Sequence, residues 1–135
     1  MDTASPLSGK KVMIVEDDKF FMDLLAKRLS ASGLSVIHAH NGEEAISLNQ
    51  SEKPSVILLD VLLPEKDGFA VLAELKGNES SKGTPVILLS NLGSKENLEK
   101  AKALKAYNFL IKATVSLDQV MKETMAALSG APARM

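Results

Sequence analysis

The chain predicts an α/β fold, a doubly wound parallel sheet of five strands with helices on both faces. Two observations carry the prediction. Short apolar runs alternate with longer segments of helical period from Lys11 to Leu128, which makes five βα units in series. Four of the runs also finish in polar residues: Val12–Val15 in Glu16-Asp17, Val56–Leu59 in Asp60, Val86–Leu89 in Ser90, and Phe109–Ile111 in Lys112. In a parallel sheet those ends share one edge, where ligands bind near the point at which strand order reverses. A TIM barrel needs eight such units and about 250 residues. This chain has 135.

Lys11–Glu16 is the first strand. Phe20–Ser32 follows as a helix, with Phe21, Leu24, Leu25, Arg28 and Leu29 on one stripe and Gly33 where a C-cap falls. Leu34–His40 alternates instead of being apolar throughout, which suits a strand at the sheet edge. Asn41 caps the next helix, with Glu44 at the capping-box position, and that helix runs to about Asn49. Ser55–Asp60 is apolar up to its last residue, as expected of a central strand covered on both faces. Pro64 and Asp67-Gly68 mark a loop before a helix over Phe69–Lys76, and Gly77–Thr84 is polar loop. Pro85 introduces the strand Val86–Ser90, and Ser94 caps a helix reaching about Lys105. Asn108–Lys112 is the fifth strand. The last helix, about Ser116–Leu128, aligns Leu117, Val120, Met121, Thr124, Met125 and Leu128. Met1–Gly9 and Ser129–Met135 read as flexible tails around one domain over residues 10–128.

Composition narrows the function classes. Apolar residues make up 45% and charged ones 24%, which is ordinary for a soluble globular domain. A net charge of −1 gives no electrostatic reason to expect nucleic acid or an anionic membrane as partner. With no cysteine, disulfides, thiol catalysis and cysteine-ligated zinc are excluded, and the cytoplasm is the expected compartment. No apolar stretch is long enough for a membrane span, and the N-terminus lacks the pattern of a secretory signal.

The strand ends gather three carboxylates, a hydroxyl and an ammonium. Glu16, Asp17 and Asp60 offer the hard oxygen ligands that magnesium prefers, and a bound divalent ion would relieve their mutual repulsion. Asp60 then has the character of a nucleophilic carboxylate of the aspartyl-phosphate kind. Lys112 would offset charge on a transferring phosphoryl group, and Ser90 would donate a hydrogen bond to it. Singly, each residue has an ordinary explanation. Acids before a helix stabilise its dipole by about 0.3–1 kcal/mol, a serine forms turns, and a lysine is commonly a solvated charge. Four strand ends with complementary chemistry are not explained that way.

In this order and spacing the residues resemble the receiver domain of two-component response regulators, from about Lys11 to Leu128. The specific part is Leu58-Leu59-Asp60-Val61-Leu62-Leu63-Pro64-Glu65-Lys66-Asp67-Gly68, with proline four and glycine eight positions after the aspartate. The resemblance implies a flavodoxin-like (βα)5 fold with strand order 2-1-3-4-5. It implies Asp60 as phosphoacceptor, and Mg2+ (or Mn2+) on Glu16, Asp17, Asp60 and the backbone carbonyl of Leu62. Ser90 and Lys112 would hold the phosphoryl group, and Phe109 would be the aromatic switch. The phosphoryl donor would be a sensor histidine kinase or phosphotransfer protein. The output would be a protein partner docked on the face of the fourth helix, fifth strand and fifth helix, with the chain monomeric or dimerising on phosphorylation. The expected role is a phosphorylation-controlled signalling domain, not an enzyme. A stand-alone receiver is expected because Ser129–Met135 leaves no room for an output domain, unless the chain is cut from a longer regulator.

The chain departs from the family pattern at four tuning positions. Ala113 replaces the usual proline after the lysine; a cis bond before a non-proline residue costs about 2.5–4 kcal/mol, so a trans Lys112–Ala113 bond is expected. Asn91 stands where a small residue is usual. In the family the side chains at the positions of Leu62 and Leu92 flank the route of attacking water, so two apolar ones here suggest slow loss of the phosphoryl group. Two other classes compete. A phosphatase or phosphotransferase of the haloacid dehalogenase type would place an acid where Leu62 stands, and a pseudo-receiver would signal by binding alone. His38 and His40 share a strand face without a third ligand, which fits an ordinary edge-strand surface. Met121 and Met125 read as core filling, and Lys95, Lys100, Lys102 and Lys105 make the fourth helix somewhat basic.

Overall fold

The apolar runs pair with one another in parallel, and the helical segments between them cover the two faces so formed. The structure, a computed structural model, describes residues 8–91 and 93–135. In chain order the elements are β1 (Lys11–Val15), α1 (Lys19–Ala31), β2 (Ser35–Ala39), α2 (Gly42–Glu52), β3 (Val56–Asp60), α3 (Gly68–Lys76), β4 (Val86–Ser90), α4 (Lys95–Ala103), β5 (Asn108–Ile111) and α5 (Leu117–Leu128). The strands lie in the order β2-β1-β3-β4-β5. This is the doubly wound α/β sheet that the sequence predicts, with alternating β2 at one edge. Order reverses between β1 and β3, and Val15 pairs there with Leu59.

Period-two alternation along fully buried strands sends successive side chains to opposite faces. Val12, Ile14, Leu58, Ile87 and Leu89 join α1 and α5 in one apolar cluster. Met13, Val15, Ile57, Leu59, Leu88 and Phe109 join the other cluster with α2, α3 and α4. The sheet is therefore covered twice, and β3 and β4 at its centre are buried throughout. No helix among the described residues is long and apolar enough to cross a membrane.

Each helix starts on a side-chain cap. Asp18, Asn41, Asp67, Ser94 and Ser116 each accept a hydrogen bond from a first-turn amide, contacts typically worth about 1 kcal/mol. Asp18 of the acidic triplet is thus a helix cap. Element ends move by a few residues from the sequence reading: α2 runs on to Glu52, and α4 stops at Ala103, where Lys105 takes a left-handed φ of 64°.

Two helical stripes differ from expectation. In α1 the buried residues are Met22, Leu25 and Leu29, while Leu24 is exposed and Phe21 only half-buried. In α5 Glu123 is buried on the core side. Phe21 packs at the edge of the core beside Lys112, and Glu123 is paired with Asn108 and Arg134.

Candidate functional site

Glu16 and Asp60 come together because each follows the paired residues Val15 and Leu59 at the point where strand order reverses. Both carboxyls are buried, with relative exposures of 1% and 6%. Asp60 Oδ1 accepts a 3.0 Å hydrogen bond from the Leu62 amide, which fixes the carboxylate and leaves Oδ2 toward Lys112 at 3.4 Å. Glu16 Oε2 accepts from the Asp18 amide at 3.0 Å, and its Oε1 accepts from Lys112 Nζ at 2.9 Å. The ammonium therefore bridges two buried carboxylates. It also lies 4.8 Å from the centre of the Phe21 ring, within cation–π range.

The electrostatics follow from burial. Desolvation, then the hydrogen bond shared with Asp60, push the Glu16 carboxyl up to about 7 against the pull of the Asp18 amide and Lys112. For Lys112 burial works against the charge. Its hydrogen bond to Glu16 and the attraction of Asp60 outweigh that and hold the ammonium above its ordinary value. Two acids competing for one cation, one of them inclined to stay protonated, fit a site made for additional positive charge. Glu16 and Asp60 thus suit a hard divalent ion by donor type. Asp17 is exposed beside them, and among the described residues no three acid or histidine side chains are gathered closely enough to hold an ion. Filling the predicted ligand set requires Asp17 to turn inward.

Ser90 lies fully buried at the end of β4, and its carbonyl accepts the Lys112 amide at 3.0 Å. Asp60 pairs with Leu89 in the sheet, so the Ser90 hydroxyl position adjoins the acceptor strand. Phe109 is buried on β5, facing α4. The Leu62 side chain is 57% exposed, while its amide holds the Asp60 carboxylate. Asn91 and Ala113 are exposed. The described residues contain no cis peptide, so the Lys112–Ala113 bond is trans, and the turn closes through Thr114 and Val115 amides on the Ile111 carbonyl. Leu92 lies outside the described residues. His38 is exposed, and His40 pairs through Nδ1 with Glu44 Oε1 at 3.0 Å on the surface.

Gly68 has a reason the motif alone does not state. A Cβ there would stand 2.4 Å from the Asp60 carbonyl oxygen and 2.6 Å from Val61 Cα, both rigid backbone. Without it α3 can begin directly against the acceptor, and the Gly68 amide donates to the Val61 carbonyl at 2.7 Å. Leu24 is the stripe residue that sequence reasoning misplaced, since it is exposed. Phe21 keeps its place against the core and also borders Lys112, a neighbour that only a Lys112 already located at the site would have marked.

Residues 12–124 match the response regulator receiver domain family. The chain belongs to that family. A probable transcriptional regulator, ycf27, of Cyanophora paradoxa is 35% identical over 78% of this chain and 43% of its own length. The chain thus spans less than half of that regulator. The polar-differentiation response regulator DivK of Brucella anthropi is 37% identical over 67% of this chain and 74% of its own. Among solved structures, the Mn2+-bound form of response regulator Rcp1 superposes with a TM-score of 0.75 at 29% identity, covering 87% of this chain and 91% of that one.

Proposed function

We propose that this receiver takes a phosphoryl group onto Asp60 from a phosphohistidine of a sensor kinase or phosphotransfer protein and changes a partner-binding face in response. One observation carries the reading: Asp60 is buried with one oxygen tethered by the Leu62 amide and the other turned toward Lys112. A carboxylate oxygen attacks phosphorus, the bond from phosphorus to the histidine nitrogen breaks, and the leaving imidazole keeps that electron pair. The product is an acyl phosphate on Asp60. Glu16, Asp17, Asp60 and the carbonyl of Leu62 would hold Mg2+ or Mn2+, which supplies charge to offset the transferring group. Lys112 is already poised between the two buried acids and would move onto a phosphoryl oxygen. Ser90 would donate to another, and its displacement would free space for Phe109 to turn and shift the surface of α4, β5 and α5 between two populations. On this reading the domain acts by changing state and runs no turnover on a foreign substrate.

Incubation with acetyl phosphate and Mg2+ is expected to add the mass of one phosphoryl group, lost on mild alkaline treatment, and Asp60→Asn is expected to gain none. A wild-type protein that never labels would leave binding without phosphorylation as its role.

The acyl phosphate is expected to be long-lived, because Leu62, two residues beyond Asp60, carries an exposed apolar side chain that offers no group to orient water. Leu62→Asn should shorten the lifetime by roughly tenfold, the value of one hydrogen bond of about 1.4 kcal/mol made in the transition state. Decay of the labelled mass with time measures this, and equal lifetimes would remove Leu62 from the account.

A further inference from the structure

Beyond α5 the chain turns back onto the domain instead of leaving it. The Ala131 amide donates to the Ala126 carbonyl at 3.0 Å, and the Arg134 amide donates to the Tyr107 carbonyl, just before β5, at 2.8 Å. Arg134 Nε reaches Glu123 Oε1 at 3.2 Å, and Asn108 Nδ2 donates to the same oxygen at 3.0 Å. Met135 packs against the apolar cluster that contains Phe109 and Ala101. Between α4 and β5 this leaves an open groove of about 460 Å³ bordered by Leu98, Lys102, Asn108, Phe109, Arg134 and Met135.

Glu123 makes the contact more than a chance fold-back. A nearly buried carboxylate on α5 is costly unless it is paired, and its two partners are one side chain from β5 and one from the returning segment. Met135 meanwhile covers apolar surface beside the ring proposed as the switch. A backbone hydrogen bond, an ion pair and an apolar contact hold the segment in the groove.

We propose that residues 131–135 are a strap occupying the α4–β5 groove of the resting receiver, and that the turn of Phe109 on phosphorylation releases it. This rests on Asp60 as acceptor and on Phe109 as switch. The groove is then a docking site filled in cis, and a downstream partner gains access when the strap leaves. Turning the Phe109 ring toward the space vacated by Ser90 withdraws the apolar floor under Met135. The contacts that remain between the strap's end and the groove are the Arg134 backbone bond and an ion pair whose Arg134 side is half-exposed, and Glu123 keeps Asn108 as a partner when Arg134 leaves.

Amide hydrogen exchange followed by NMR on the whole chain tests this, with beryllofluoride and Mg2+ as a stable phosphoryl mimic. In the resting protein the Arg134 amide is expected to exchange at least tenfold slower than an unprotected amide. Glu123→Gln and Met135→Ser should each lose most of that protection while amides of β1 and β3 keep theirs. Beryllofluoride should lower protection at Arg134 in the wild type by tenfold or more. An unprotected Arg134 amide in the resting protein would overturn the strap. Protection that persists while Phe109 resonances report a turned ring would overturn its release. Absence of beryllofluoride-induced shifts at Asp60–Leu62 would instead defeat the acceptor reading, and release with it, leaving the resting strap to stand or fall on the first measurement.

Discussion

Glu16→Gln is expected to stabilise the metal-free receiver at pH 8 by about 1–3 kcal/mol, although it removes an ion pair. The carboxyl is raised from 4.5 to about 7, chiefly by burial, so the folded state prefers it protonated. Between those values the native state binds more protons than the unfolded chain, and stability falls as pH rises. The contribution is full below pH 4.5 and gone once pH passes about 7, and that difference corresponds to about 3 kcal/mol. Glutamine keeps the neutral form at every pH. Loss of the bond from Lys112 offsets part of the gain, hence the lower bound. Urea unfolding at pH 5 and pH 8 measures it: the wild type should weaken across the interval, and the variant should change much less. Saturating Mg2+ at pH 8 should stabilise the wild type and do little for the variant, because the ion supplies the charge that burial withholds. Equal pH slopes for the two proteins would show that Glu16 is not the strained acid.

Gly68→Ala should destabilise the domain by about 3 kcal/mol or more, beyond the usual cost of a single substitution. At the start of α3 alanine is the better helix former by about 1 kcal/mol, so propensity alone predicts a gain. The close approach decides otherwise: the added carbon would sit 2.4 Å from the Asp60 carbonyl oxygen, and α3 would have to back away from β3. That movement also disturbs the loop from Val61 to Asp67, which holds the Leu62 amide against Asp60. Gly83→Ala is the control, since no atom lies within 4 Å of a Cβ there, and it should change stability by less than about 1 kcal/mol. Thermal and urea unfolding of both variants compare the two directly.

The sheet was legible because buried parallel strands leave little freedom. β3 and β4 are apolar on both faces, each ends in one polar residue, and those ends had to share an edge. Asp60, Ser90 and Lys112 were visible for that reason, and the structure brings Asp60, Glu16 and Lys112 within hydrogen-bond reach. Asp17 was visible by type but not by position, because consecutive residues leaving a strand point in different directions, and here it faces water. Phe21 and Met22 fit an α1 stripe almost equally well, and the structure buries Met22 while setting Phe21 between the core and Lys112, 91 residues away in the chain. Glu123 could not be read as buried from a helical wheel, since its partners come from β5 and from beyond α5. Helix periodicity carries no information about either.

The most direct test of the account is the location of the phosphoryl group. After labelling with acetyl phosphate and Mg2+, borohydride reduces an aspartyl phosphate to homoserine, and peptide mass spectrometry finds the residue. Homoserine is expected at position 60 and nowhere else, since among the described residues Asp60 is the buried aspartate tethered by a backbone amide and faced by Lys112. Homoserine at position 17 or 18, or a labelled protein with Asp60 unmodified, would contradict it.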